Sequence, residues 1–157
     1  MKSPILNSPY KEPVCHFKSD ERGLTDEILE MRRPSSFYIP VPRAKSMKKR
    51  AEQNVAEGAF GSELQKENEF INKVREKIKE WRNKDYPGLT KTSRDLLFYW
   101  KDDNRDNKLF FCQVESLETL MYINEVAEKS GEVWIINELK RAGKEANPGL
   151  YRIALKM

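Results

Sequence analysis

Apolar residues recur at three- and four-residue intervals through Ile71, Val74, Ile78 and Trp81, and Lys73, Glu76, Lys77, Glu80 and Arg82 fill the faces between them. That period predicts an amphipathic helix from about Leu64. Surface charge helps it little, because Glu69 attracts Lys73 one turn on whereas Glu76 repels Glu80, so packing of Trp81 has to hold it. Asp85-Tyr86-Pro87-Gly88-Leu89 is a turn, with Pro87 presetting φ and Gly88 tolerating the left-handed region of a type II turn. Thr92 or Ser93 then caps a second helix whose buried face is Leu96, Leu97 and Trp100. The polar run Asp102 to Asn107 ends it. A third helix begins near Leu109 or Phe111 and continues to about Lys129, with Val114, Leu117, Leu120, Met121 and Val126 on its apolar side. Trp134, Ile135, Ile136 and Leu139 mark either a fourth helix or a short strand over 133–136, which period alone does not decide. After the break at Asn147-Pro148-Gly149, residues Tyr151 to Met157 alternate as a β-strand, and a chain that ends on such a strand is expected to be a fragment.

The N-terminal part reads differently. Six of the eight prolines fall within the first 42 residues, which excludes long helices there. One short helix is expected between them, capped by Thr25, with Asp26 and Glu27 in its first turn, Ile28 and Leu29 inside, and Pro34 closing it. Ser35 to Pro42 is extended and suits a sheet edge. Ala44 to Gly61 is a linker or weak helix with a loose turn.

These elements predict a mainly α fold: three or four packed helices, an extended Pro-rich N-terminal segment and a short C-terminal strand. The expected organisation is an N-terminal segment over 1–43, a basic flexible linker over 44–63 and a helical module over 64–157. Composition changes this picture in two ways. With 38% apolar and 34% charged residues, the core is modest and part of the chain cannot offset its ordering entropy. Positive charge is also concentrated: residues 32–50 carry +7 without an acid, and the rest of the chain sums to −3. Phosphate contact is the functional reading of that run, carried best by Arg32, Arg33, Lys48, Lys49 and Arg50; a solvated tether is the plain one.

Other chemistry is sparse. Cys15 and Cys112 are too far apart for a disulfide framework and fit a reducing compartment. His16, the one histidine, stands beside Cys15 without the further ligands a zinc site needs. Cys112 has no base to activate it. No stretch approaches the length of a membrane helix, so a cytoplasmic protein without membrane contact is expected.

The sequence Leu109-Phe110-Phe111-Cys112-Gln113-Val114-Glu115-Ser116-Leu117-Glu118-Thr119-Leu120, the helix from Glu132 to Ala146 and the closing strand resemble the N-terminal edge of the motor in restriction-type superfamily 2 DEAD/DEAH helicases, relatives of the Res subunit of type III restriction enzymes. Upstream, Arg32-Arg33-Pro34-Ser35-Ser36 and Ile39-Pro40-Val41-Pro42 extend the resemblance. It implies that the last strand begins a RecA-like α/β motor and that the phosphate-binding loop would follow Met157, since Gly131, Gly143 and Gly149 do not form one. It implies an adenine-sensing role for Gln113, whose carboxamide can donate to N7 and accept from N6; the plain reading is a surface or capping glutamine. Phe111 is a candidate base-stacking residue beside it, although one of Phe110 and Phe111 is expected in the core. On this reading the chain binds no cofactor and catalyses nothing by itself, while ATP and magnesium act in the full-length parent, an ATP-dependent DNA helicase or translocase. Its partners are the rest of the motor and DNA, with a homodimer through exposed surfaces conceivable for the fragment. The rival is a stand-alone helical nucleic-acid-binding or protein-interaction module.

Overall fold

The computed structural model describes residues 5–20, 23–40, 63–150 and 152–155. Its elements are β1 (His16–Asp20), β2 (Gly23–Leu29), β3 (Ser36–Pro40), β4 (Glu63–Glu67), α1 (Glu69–Asn83), α2 (Lys91–Lys101), α3 (Phe111–Met121) and α4 (Val133–Ala146), with a π-helical turn, Tyr122–Val126, continuing α3. The helices carry the packed core and the two antiparallel sheets have two strands each, so the mainly helical expectation holds in coarse form. The chain divides into a unit of Met1–Arg33 with Val74–Met157 and a unit of Pro34–Lys73.

In the larger unit, Val74, Ile78 and Trp81 form the buried stripe of α1, as the period predicts. Leu97 of α2, Ile135 of α4 and the group Tyr122, Ile123, Val126 and Ala127 are buried as well. The π turn brings that group inward: Ala127 N–H donates to Tyr122 five residues back at 2.8 Å, and the wider turn puts neighbouring apolar residues on one side. Trp81 is the hub. Its indole N–H donates to the Pro87 carbonyl at 2.9 Å, and Tyr86 and Tyr122 pack edge-on against it at 4.9 and 5.2 Å, a favourable aromatic arrangement.

The turn before α2 forms as expected, with Gly88 at φ +85. Asp85 and Tyr86 also adopt left-handed φ of 58° and 57°, unfavourable for residues with a Cβ. Burial of the Tyr86 ring and an Arg94 Nη2 bond to its carbonyl at 2.9 Å hold it there. The cap of α2 is Thr90 rather than Thr92 or Ser93; its hydroxyl accepts from Ser93 N–H at 3.3 Å. The fourth element is a helix, Val133–Ala146, not a strand.

Three further expectations are corrected. The Thr25-capped segment is strand β2, paired antiparallel to β1 with His16 opposite Leu29 and Asp20 opposite Gly23. A lone helix of so few residues is marginal because nucleation outweighs its few bonds, whereas a neighbouring strand satisfies the same backbone. Leu64 lies in β4, paired with β3 so that Ser36 faces Glu67 and Ile39 faces Leu64, and α1 begins five residues later. The expected extended segment is thus a sheet strand. Here Ser35 N–H donates to Asn72 Oδ1 at 2.8 Å and Asn72 Nδ2 to the Ser35 carbonyl at 3.3 Å. Residues 152–155 form no strand; a single strand cannot pair its own backbone. The basic linker, apart from Glu63, lies outside the described residues.

Candidate functional site

Phe111, Val114 and Glu118 follow one another on the inner stripe of α3, so a carboxylate stands where the pattern calls for an apolar side chain. Glu118 is 0% exposed. Taking a carboxylate out of water costs several kcal/mol, on the order given for buried ions, unless hydrogen bonds replace the solvent. Arg82 of α1 donates Nε and Nη2 to Glu118 Oε2 at 2.8 and 2.6 Å. Tyr86 donates its hydroxyl to Oε1 at 2.6 Å. Lys101 of α2 donates to the Tyr86 oxygen and lies 3.5 Å from Glu118 Oε1. Burial, reinforced by the bond to Glu118, pushes the Tyr86 phenol well above its ordinary pKa; it stays protonated as a donor.

One turn earlier, Glu115 accepts Arg32 Nη1 and Nη2, each at 2.6 Å, the forked geometry that makes arginine–carboxylate pairs strong. Burial works to raise the Glu115 pKa, but the hydrogen bonds and charge of Arg32, with Arg82 and Arg75, outweigh it and hold the carboxyl below its usual value. Glu12 joins the cluster through Arg82 at 3.2 Å and Lys79 at 3.1 Å. Phe111 takes the guanidinium carbons of Arg32 and Arg82 at 5.5 and 5.1 Å from its ring centroid, both within cation–π range. These groups engage one another and tie the N-terminal segment, α1, α2 and α3 together.

Beside this network opens a cleft of about 420 Å³, walled by Tyr10, Trp100 and Phe111 and including Lys11 and Lys108 in its lining. That volume is in the range of small-molecule pockets. Lys108 pairs with Asp103 at 3.3 Å.

The residues singled out from sequence are distributed as follows. Gln113 sits in the first turn of α3, and its Oε1 accepts the Phe110 N–H at 2.9 Å, so it caps the helix. The cap engages one of two carbonyl lone pairs and neither amide proton. Phe111 lines the cleft, and Gln113 is not among its lining residues. Phe110 is 46% exposed and packs against Tyr10 at 5.5 Å, which leaves Phe111 as the more enclosed of the pair. Arg32 is committed to Glu115. Arg33 is exposed, with Nη2 3.5 Å from Ser19 Oγ. Lys48, Lys49 and Arg50 lie outside the described residues. Both cysteines are free. Among the described residues, no three His, Cys, Asp or Glu side chains converge as a metal-ligand set, and no helix is long and apolar enough to cross a membrane.

Sequence reasoning missed Glu118, Tyr86, Arg82, Lys101, Lys11 and the cleft role of Trp100. One signal was available: an acidic residue on an apolar helical stripe demands a buried cation. Comparison with family models, characterised proteins and solved structures finds no match to the chain.

Proposed function

We propose that this chain is the N-terminal accessory and adenine-recognition portion of an ATP-dependent DNA helicase or translocase of restriction-enzyme type, without catalysis of its own. The reading starts from the resemblance of residues 30–42, 109–120 and 132–157 to that family. The observation that carries it is the state of Gln113: its first-turn position is fixed by the bond from Phe110 N–H, while two amide protons and one carbonyl lone pair are left to a ligand. Adenine offers the complementary pair, N7 as acceptor and the N6 amino group as donor. Guanine presents O6 where adenine presents N6, so it gives the Gln113 oxygen no donor. ATP and magnesium would act through the remaining motor, which with DNA is the proposed partner; self-association through exposed surfaces belongs to the isolated chain.

Side-chain amide NMR tests this. Titration with ATP in large excess, since without a phosphate loop the chain can hold it only weakly, is expected to shift the Gln113 NH₂ resonances and GTP to leave them in place. Gln113→Glu, read at the backbone amides of the first turn of α3, should lose the difference between the two, because a carboxylate has no proton for N7. Equal responses to ATP and GTP, or no response at Gln113, would exclude adenine recognition there. A second reading, the stand-alone helical nucleic-acid-binding or protein-interaction module, is favoured by the aromatic cleft, which owes nothing to a motor.

A further inference from the structure

The cleft between the N-terminal segment and the end of α2 has polar groups of two kinds. Its acids are engaged: Glu118 by Arg82 and Tyr86, Glu12 by Arg82 and Lys79, Asp103 by Lys108, and Asp102 through Oδ1 by the Asn104 backbone N–H and side-chain amide. Among the described residues the Lys11 ammonium and the Trp100 indole N–H, which can only donate, and the Tyr10 hydroxyl have no hydrogen-bond or ion-pair partner. Their occupant must bring acceptors. It must also present a flat apolar face, since Trp100 and Phe111 form the walls; the Phe111 ring already takes the guanidinium groups of Arg32 and Arg82, whereas Trp100 has no ring or cation contact among the described residues.

A planar body joined to an anion by a short, acceptor-rich linker describes one nucleotide of a nucleic-acid strand. A base in a duplex keeps its faces stacked on its neighbours and is closed to such a wall, whereas a single strand can turn a base out onto an aromatic ring. We propose that this cleft holds one unpaired nucleotide of single-stranded nucleic acid, the base against Trp100 and its phosphate at Lys11. Phe111 belongs to the same helix turn as Gln113, but Gln113 does not line the cleft, so the inference does not need the adenine reading.

Fluorescence anisotropy with a labelled oligothymidylate and a duplex of equal length, at about 50 and 200 mM salt, tests it. Thymine avoids any contribution from adenine recognition. The full chain is expected to favour the single strand. Trp100→Leu should weaken single-strand binding by about tenfold, the size of one stacked base, and leave the salt slope unchanged. Lys11→Gln should weaken binding and flatten the log–log salt slope by about 0.7, one phosphate's share on a single strand. Binding through Lys48, Lys49 and Arg50 would persist in both variants, so the differences report the cleft alone. If Trp100→Leu fails to fold by circular dichroism, the Lys11→Gln slope decides. Unchanged affinity and slope in the folded variants, equal affinity for duplex, or equally strong displacement by thymidine monophosphate would each overturn the proposal, the last by showing that a free nucleotide satisfies the site.

Discussion

Two clusters of arginine and glutamate in this molecule share their chemistry and differ in almost everything else. On α4, Arg141 pairs with Glu138 and Glu145, three and four residues away, with side chains between 40% and 65% exposed. Around α3, Arg82 and Glu118 meet from 36 residues apart, and Glu118 is wholly buried. The first cluster is solvated whether or not its pairs form. In the second, Glu118 has given up its water entirely and Arg82, 16% exposed, most of it, so each depends on the other. Ion pairing therefore fastens the fold only where solvent has been excluded, and the same exclusion removes those groups from the set open to ligands.

The largest effect expected from this contrast is at Glu118. Glu118→Ala leaves Arg82 and the Tyr86 hydroxyl facing a hole, and the chain should lose about 3–5 kcal/mol in urea denaturation, the usual result of removing one member of a buried pair. Replacing Glu118 and Arg82 together by apolar residues should lose less than Glu118→Ala alone, because the uncompensated charge disappears with its partner. A Glu118→Ala chain as stable as the parent would show that the burial lesson is wrong here. Tyr86→Phe is milder. It removes the donor to Glu118 Oε1 while keeping the ring against Trp81, and should lose about 1–3 kcal/mol, the range for leaving a buried acceptor short of one bond.

Acidification sharpens the comparison at intermediate size. Glu115 and Glu125 are both held below the ordinary carboxylate pKa. Burial opposes this in each case; Arg32, Arg82 and Arg75 outweigh it at Glu115, and the Ser93 hydroxyl and Thr90 backbone N–H outweigh it at Glu125. A depressed folded-state pKa means the unfolded chain takes up protons first as pH falls. These carboxylates thus contribute full stability above the ordinary carboxylate range and lose it as pH drops through that range and below. Thermal melts from neutral pH downward should show the loss, and Glu115→Gln should reduce its steepness. Tyr86 gives the opposite flank: its raised pKa supports stability below the ordinary tyrosine value of 10.0 and loses it at higher pH. A Tyr86→Phe chain should lack that alkaline loss.

Legibility followed the same division between local and distant. The apolar stripe of α1 and the turn through Gly88 were readable, because each is written within a dozen neighbouring residues; on α2 and α4 the period found Leu97 and Ile135, whereas Leu96, expected on the buried face, and Trp134 are exposed. The hairpin of β1 and β2 was not: Thr25-Asp26-Glu27 has the local look of a helix start, and only pairing with His16–Asp20 decides otherwise. Leu64 failed in the same way, its partner Ile39 being distant in sequence. For the site, Gln113 and Phe111 were found, but the roles of Arg82, Tyr86 and Lys101 depend on a meeting of three helices and a turn that no local period encodes. Arg32 was assigned from charge density to phosphate contact, whereas in the fold it is held by Glu115. Density of charge says how many cations there are and nothing about which of them are already neutralised.

The smallest expected effect is the control on which the comparison rests. Arg141→Ala removes two ion pairs at once, and counting contacts would rank it beside the loss of Arg82. Glu138 pulls the Arg141 pKa upward most, followed by Glu145, yet all three side chains are open to water and dissolved ions, which screen exposed pairs strongly. Alanine is also the better helix former at an exposed position and offsets part of what is lost. The melting temperature of Arg141→Ala should therefore match that of the parent chain, in low and high salt alike. A marked drop that salt abolishes would mean that the α4 pairs act as a coupled network, and exposure alone would no longer separate the two clusters.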